Sequence, residues 1–192
     1  MTNNKLKVVA VSGGLQRPSR TLVLVESLVA ALGELLPLDV HLIELGQITP
    51  GLARALHRSQ LPAEVESHVL ATENADMLVV ASPVFRASFS GLFKHLFDLV
   101  HQDALIDTPV LLAATGGSER HALVIEHQLR PLFSFFQART LPIGVYASER
   151  DFSGYEIASA ALRNRIALAA ERAVPWLGEG RSAAIRQDTV EV

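Results

Sequence analysis

At 192 residues, 49% of them apolar, the sequence suits one globular domain with a full-sized core. A formal net charge of −3 gives no basic surplus for binding a nucleic-acid backbone, and no apolar run approaches the ~20 residues of a membrane span. The chain has no cysteine, which excludes disulfides, a thiolate nucleophile and a cysteine-based zinc site, and no targeting signal is recognisable, so we expect a cytoplasmic protein.

Short apolar runs of strand length alternate along the chain with longer segments of helical period. The segment 47–62 carries Pro50, Gly51 and Pro62 and is predicted to be a connection. Five strands that alternate with five helices are typical of an α/β fold, with a parallel sheet covered on both faces. The predicted elements in chain order are strand 5–12, helix 20–36, strand 38–45, helix 63–75, strand 76–82, helix 89–102, strand 108–115, helix 118–138, strand 141–148 and helix 154–177.

The order of the strands decides where a ligand would bind. A five-stranded sheet of this kind commonly has strand order 2-1-3-4-5, and the loops after strands one and three then diverge and open a crevice where ligands bind. The helical period ends after Pro175 and Trp176. We therefore predict one domain over residues 1–178 and a tail over 179–192, with the site formed by the loops "SGGLQRPSRT" and "SPVFRASFSG".

The first of these loops is suited to a phosphate group. Gly13 and Gly14 let the backbone turn, and the following helix begins with unpaired amides at the positive end of its dipole. A plain turn capped by Ser19 is the alternative, and a dinucleotide site is another, since Glu44 stands where a ribose-binding acid would be, although the full glycine fingerprint is absent. The side chains available to a ligand are those of Ser12, Gln16, Arg17, Ser19, Arg20 and Thr21.

The second loop and the loop "ATGGSERH" after strand four are suited to a flat heteroaromatic ring with polar edges. Pro83 stiffens the chain, and backbone amides and glycines allow a close approach to such a ring. Ordinary turns with Phe85 and Phe89 in the core are the alternative. The candidate ring-binding residues are Pro83, Val84, Phe85, Arg86, Thr115, Gly116 and Gly117.

These three loops, followed by the helix "HALVIEHQLRP", resemble the NAD(P)H-dependent FMN reductases of the flavodoxin-like fold over about residues 6 to 178. They are most similar to the sulfonate-associated branch, small reductases that feed reduced flavin to a separate alkanesulfonate or methanesulfonate monooxygenase. The resemblance implies a three-layer sandwich, FMN with NADH or NADPH, an FMNH2-dependent monooxygenase as partner, and a homo-oligomer, either a dimer or a tetramer.

The resemblance also assigns residues. It implies that 19–21 bind the FMN phosphate and that 83–86 and 115–117 border the isoalloxazine ring. The first loop of the family often reads Gly-Ser-x-Arg, whereas this chain has Gly14 and Gln16 at those places, and Arg17 is a candidate for the missing charge.

Hydride transfer between two stacked rings requires no general base, so we name no catalytic residue and expect no metal. Pro131 lies inside the predicted helix 118–138 and deprives the His127 carbonyl of its hydrogen bond. The helix is then either kinked at Pro131 or bulged into a π-turn at His127. In the related reductases a tyrosine commonly occupies this place, in a π-helix at the tetramer interface that is linked to flavin release.

Two other functions remain open from the sequence. One is a reductase of quinones, azo dyes or metal oxyanions that holds FMN tightly. The other is a non-enzymatic electron carrier of flavodoxin type, although such carriers are usually strongly acidic. Helices three and four, with Phe133, Phe135 and Phe136, carry more apolar surface than one sheet face covers, which favours an oligomer.

Overall fold

The computed structural model describes residues 5–177, so the predicted tail 179–192 lies outside the described residues. The strands are β1 Leu6–Ser12, β2 Leu38–Glu44, β3 Met77–Pro83, β4 Pro109–Gly116, β5 Arg139–Thr140, β6 Val145–Ser148, β7 Phe152–Ser153 and β8 Glu156–Ile157. The α-helices are α1 Arg20–Gly33, α2 Leu45–Leu52, α3 Ala63–Glu73, α4 Gly91–Asp98, α5 Arg130–Phe135 and α6 Ala160–Ala173. A π-helical turn, Ile125–Leu129, precedes α5, and the 3-10 turns are Arg58–Gln60, Glu119–His121, Glu149–Asp151 and Val174–Trp176.

The main sheet is parallel and has the order β2-β1-β3-β4-β5, with β6 also paired to β4. This is the strand order of the flavodoxin-like fold, so the predicted order is confirmed. The fifth strand, predicted as one run over 141–148, is observed only as β6 in the second half of that range, and residues 141–144 separate it from β5, which lies before the predicted range. Pro142 lies in the gap, where its missing N–H cannot contribute to the ladder.

The sheet is covered by helices on both faces, as the α/β prediction requires. Alternate side chains of β1 point to opposite layers, with Val9 and Val11 on one side and Val8 and Ala10 on the other. Helices α1 and α6 pack on the side of Val8, whereas α2, α3, α4 and α5 pack on the side of Val9. Because the central strands are buried on both faces, they read in the sequence as continuous apolar runs.

Two predicted segments are wrong. The connection 47–62 conceals α2, which buries Leu45, Ile48 and Leu52 on one face although Pro50 lies within the helix. The predicted helix 154–177 begins six residues late, at α6, because β7 and β8 form an antiparallel hairpin in front of it.

Helix boundaries also differ from the predictions. Helix α1 ends at Gly33 rather than at residue 36, and α4 is confined to Gly91–Asp98 within the predicted range 89–102. The range 118–138 is not one α-helix, because a 3-10 turn and the π-helical turn come before α5. Across residues 5–177, no helix has the length and apolar character needed to cross a bilayer.

Candidate functional site

A cavity of about 460 Å³ opens at the carboxyl edge of the sheet, within the size range of small-molecule sites. It lies where the loops after β1 and β3 diverge, close to the point at which the Gly13 amide donates to the Ala81 carbonyl at 2.7 Å. Most of the predicted ligand residues line this cavity, namely Gln16, Ser19, Arg20, Thr21, Pro83, Val84, Phe85, Thr115, Gly116 and Gly117.

The start of α1 forms one end of the cavity. Ser19 has an extended backbone, and its hydroxyl caps the helix by accepting from the Leu22 amide at 3.2 Å. A Cβ atom at Gly14 would lie 2.6 Å from the Ser19 oxygen, so a serine at position 14 would displace this cap. The remaining first amides of α1 have no acceptor within the helix, which makes this end of the cavity suited to an anion.

Three predicted ligand residues do not line this cavity. Arg17 turns away from it and forms a bidentate ion pair with Glu44, with Nε to Oε2 at 2.7 Å. This pair occupies the carboxylate that a dinucleotide site would need for a ribose. Ser12 is buried at the end of β1 below the loop, and Arg86 is exposed at a turn outside the cavity.

The second loop makes a tight turn at the mouth of the cavity. The Phe85 amide donates to the Ser88 carbonyl at 2.6 Å, and the reverse bond measures 3.2 Å. Between them Arg86 and Ala87 have φ of 50° and 72°, in the left-handed region that residues with a Cβ adopt only under strain. The turn leaves Phe85 59% exposed on the cavity wall.

Hydrogen bonds join the three loops beneath the cavity. The Thr21 and Thr115 hydroxyl oxygens are 2.7 Å apart and buried, which joins the first turn of α1 to the end of β4. The Val84 amide donates to the Thr115 carbonyl at 2.7 Å. The end of the cavity suited to an anion and the loops after β3 and β4 therefore form one connected frame.

Tyr146 supports the third loop from behind. Its hydroxyl donates to the Ser118 carbonyl at 2.5 Å, and a Cβ atom at Gly116 would lie only 2.2 Å from that hydroxyl. Burial raises the pKa of Tyr146, and the negative charge of Asp151 adds to the effect, so the hydroxyl keeps its proton and remains a donor.

One wall of the cavity was not predicted from the sequence. The hairpin of β7 and β8 and the turn before it contribute side chains from a range that was predicted to be partly helical. The dipeptide Ser153–Gly154 is a turn signal that would have indicated this hairpin. The cavity-lining residues that were not predicted as ligands are Gly14, Leu15, Pro18, Ser90, Ala147, Ser148, Glu149, Phe152 and Tyr155.

The π-helical turn contacts the second loop directly. His127 is exposed at the centre of the turn, and the neighbouring Gln128 accepts a hydrogen bond from the Ser88 hydroxyl at 2.9 Å. The amide of Arg130 bonds to the carbonyl of Ile125, five residues back, as the π geometry requires. Among residues 5–177 no group of three or more histidine, aspartate or glutamate side chains is arranged to hold a metal ion.

Comparison with known proteins identifies relatives along most of the chain. Residues 6–153 match the family model described as NADPH-dependent FMN reductase. The chain is 66% identical over 173 residues to the NADH-dependent FMN reductase SfnF of Pseudomonas fluorescens, covering 90% of this chain and 92% of that protein. It is 65% identical over 176 residues to the FMN reductase (NADPH) of Pseudomonas aeruginosa, covering 92% and 94%. Among solved structures, the apo form of the NADH:FMN oxidoreductase EMOB matches with a TM-score of 0.80 at 28% identity, covering 94% of this chain and 92% of that one.

Proposed function

Because the chain belongs to the NADPH-dependent FMN reductase family and is an NAD(P)H:FMN oxidoreductase, we propose that it supplies reduced FMN to a separate flavin-dependent monooxygenase. The resemblance of its loops to the sulfonate-associated branch supports sulfonate desulfurisation as the process. The structural observation that supports FMN as the ligand is one cavity that joins a capped helix start with the loops after β3 and β4. Reduced nicotinamide nucleotide is available in the cytoplasm, which favours that location.

The residues of the cavity have separate roles in this proposal. Ser19 and the first amides of α1 hold the FMN phosphate, and the segments 83–85 and 115–117 border the ring. An FMN ring held by these segments would supply the acceptor for a hydride from NADH or NADPH. The bond between Thr21 and Thr115 keeps the two ends of the cavity at a fixed separation, and so orients the flavin.

NADH oxidation by the dialysed protein, measured with and without added FMN, tests whether FMN is exchangeable. We expect the dialysed protein to be colourless and its turnover to saturate with added FMN; repeating the assay with NADPH gives the nicotinamide preference. A yellow protein that reduces quinones or azo dyes without added flavin would support the tight-binding alternative. Membership in a family of reductases excludes the non-enzymatic carrier.

Delivery to the partner is tested by coupling. The reductase is mixed with an FMNH2-dependent alkanesulfonate monooxygenase, and sulfite release is followed with catalytic FMN. Sulfite that accumulates in proportion to the reductase supports the proposal. Rapid NADH oxidation with no sulfite release, under conditions where chemically reduced FMN sustains the monooxygenase, would contradict it.

The proposal also gives the π-helical turn a role. We assign His127 and its turn to the control of flavin exchange, because Gln128 connects the turn to Ser88 in the loop that borders the ring. A change of register in the turn would move this bond and, with it, the cavity wall.

We further propose that the chain forms a homo-oligomer. Phe133 and Phe136, expected to contribute to an exposed surface, are instead buried in the core, but Phe135 and Leu123 are 67% and 62% exposed. Sedimentation should give a species larger than a monomer at micromolar concentration, and Phe135→Glu should shift it towards the monomer. Leu70→Glu, at a side chain exposed on α3, is the matched control. A parent protein that sediments only as a monomer would contradict the proposal.

A further inference from the structure

The hairpin of β7 and β8 needs support from other elements. Each of its strands has two residues, and an isolated pair of this length is not stable in water. Gly154, at φ 62°, and Tyr155 make the turn between them. The position of the hairpin is therefore determined by the contacts at its base and at its tip.

Asp151 fixes the base. Its Oδ2 accepts from the amide and the hydroxyl of Ser148, both at 2.8 Å, and its carbonyl accepts from the amides of Ala158 and Ser159 at 2.9 and 3.1 Å. Burial of Asp151 opposes its ionisation, but the hydrogen bonds from Ser148 and Ser159 outweigh it and lower the pKa of the carboxyl. Both ends of the hairpin are thus held to the end of β6.

Arg20 fixes the tip. Its Nε donates to the Gly154 carbonyl at 3.1 Å, and a terminal nitrogen pairs with Glu149 at 3.0 Å. The guanidinium carbon lies 6.0 Å from the ring centroid of Phe152 and 5.8 Å from that of Tyr155, within the range of cation–π attraction. One side chain therefore holds the backbone, a carboxylate and two rings of the same segment.

This attachment lies at the end of the cavity suited to an anion. Arg20 is the first residue of α1 and follows the capping residue Ser19. Glu149, Phe152 and Tyr155 line the same cavity as the helix start, so the hairpin forms the wall beyond it.

The shape of this wall distinguishes two flavins. FMN ends in a phosphomonoester, whereas in FAD the same phosphate carries a second phosphate and an adenosine. With the first phosphate at the start of α1, that extension would meet the Tyr155 ring and the Glu149 carboxylate, which contact Arg20 at the same end of the cavity. The Glu149 carboxylate has no donor to offer a second phosphate, and the positive charge of Arg20 is already paired with that carboxylate.

We propose that the hairpin, held in place by Arg20, closes the phosphate end of the cavity and selects FMN over FAD. The proposal rests on the FMN site described above, and it adds Glu149 and Tyr155 as the residues that determine how long a flavin the site accepts. Neither residue acts in hydride transfer.

The test uses the double substitution Glu149→Ala with Tyr155→Ala, both at exposed side chains, so that the fold is retained. Dissociation constants for FMN and FAD are measured by calorimetry, and catalytic efficiency is measured with each flavin. The parent should prefer FMN, and the variant should lower the ratio of the FAD to the FMN dissociation constant by about tenfold or more. Glu156→Ala, on the same hairpin but outside the cavity lining, is the matched control and should leave the ratio unchanged.

Two outcomes would overturn the proposal. One is a parent protein that binds FAD and FMN equally; the other is a double variant that binds FMN while its ratio stays within about twofold of the parent. A parent that binds neither flavin would instead refute the FMN site itself. Tyr155→Ala alone provides a second variant if the double substitution unfolds, as judged by circular dichroism.

Discussion

Replacing Gly116 by alanine should destabilise the third loop of the cavity through a single contact. The new methyl carbon would lie 2.2 Å from the Tyr146 hydroxyl, 3.2 Å from its Cζ and 3.4 Å from Val84 Cγ2. Tyr146 must therefore move, and its hydrogen bond to the Ser118 carbonyl is lost. The backbone at Gly116 is not in the left-handed region, so steric crowding is the sole cause of the effect.

The size of the effect follows from two contributions. Crowding of a packed site costs about 1–3 kcal/mol, and loss of the Tyr146 hydrogen bond costs about 0.5–1.5 kcal/mol. We expect Gly116→Ala to lower the free energy of unfolding by about 2–3 kcal/mol and to weaken FMN binding, because residue 116 lines the cavity. Gly117→Ala is the matched control, since the methyl group that it adds would meet no atom within 4 Å beyond its chain neighbours, and it should change stability by less than about 1 kcal/mol.

Urea unfolding of a double-mutant cycle isolates the contact. Tyr146→Phe removes the crowded oxygen, so Gly116→Ala should cost much less in that background than in the parent. Equal costs of Gly116→Ala in both backgrounds would refute the steric argument, and so would equal costs of Gly116→Ala and Gly117→Ala.

Three further predictions concern the same region. Ser19→Ala removes the cap on the Leu22 amide, so it should lower the free energy of unfolding by about 1 kcal/mol and raise the FMN dissociation constant measured by fluorescence quenching. An unchanged dissociation constant would show that the phosphate binds elsewhere. Because the pKa of Asp151 is lowered in the folded state, the ionised carboxyl stabilises the fold fully above about pH 4, and this stabilisation is lost as the pH falls through the lowered pKa. Asp151→Asn should therefore be less stable than the parent at pH 7 and equal to it in strong acid. An equal deficit in urea unfolding at both pH values would contradict this. Deleting His127 should restore an α-helical register, so the variant should keep FMN through dialysis and turn over free FMN more slowly than the parent. A folded variant of the same oligomeric state that exchanges FMN like the parent would show that the turn does not control flavin exchange.

The sheet and two of its loops were predictable because their signals are local. Strands β1, β3 and β4 are buried on both faces and are continuous apolar runs, and the strand order follows from general rules of α/β winding. The crevice between the loops after β1 and β3 follows from that order. Ten of the thirteen ligand residues predicted from the sequence therefore line the cavity.

The roles of the two arginines were not predictable from the loop itself. Arg17 and Arg20 are three residues apart, but Arg17 is drawn away by Glu44 and Arg20 is held by Glu149, partners 27 and 129 residues distant in the chain. The hairpin was missed for a related reason. Two-residue strands are too short to produce a recognisable period, and their position depends on a distant side chain.

The pair of hydroxyls under the cavity, on Thr21 and Thr115, has a consequence for the proposed FMN site, where the flavin would change its charge on reduction. Either oxygen can be the donor, and neither hydroxyl titrates in the physiological range, so the bond persists at any working pH. If the field above it changes, the two O–H dipoles can reverse their direction while every heavy atom stays in place. The floor of the cavity can thus respond to a change of charge by reorienting two hydroxyl dipoles. This is a form of dielectric relaxation that requires no movement of a helix or a strand.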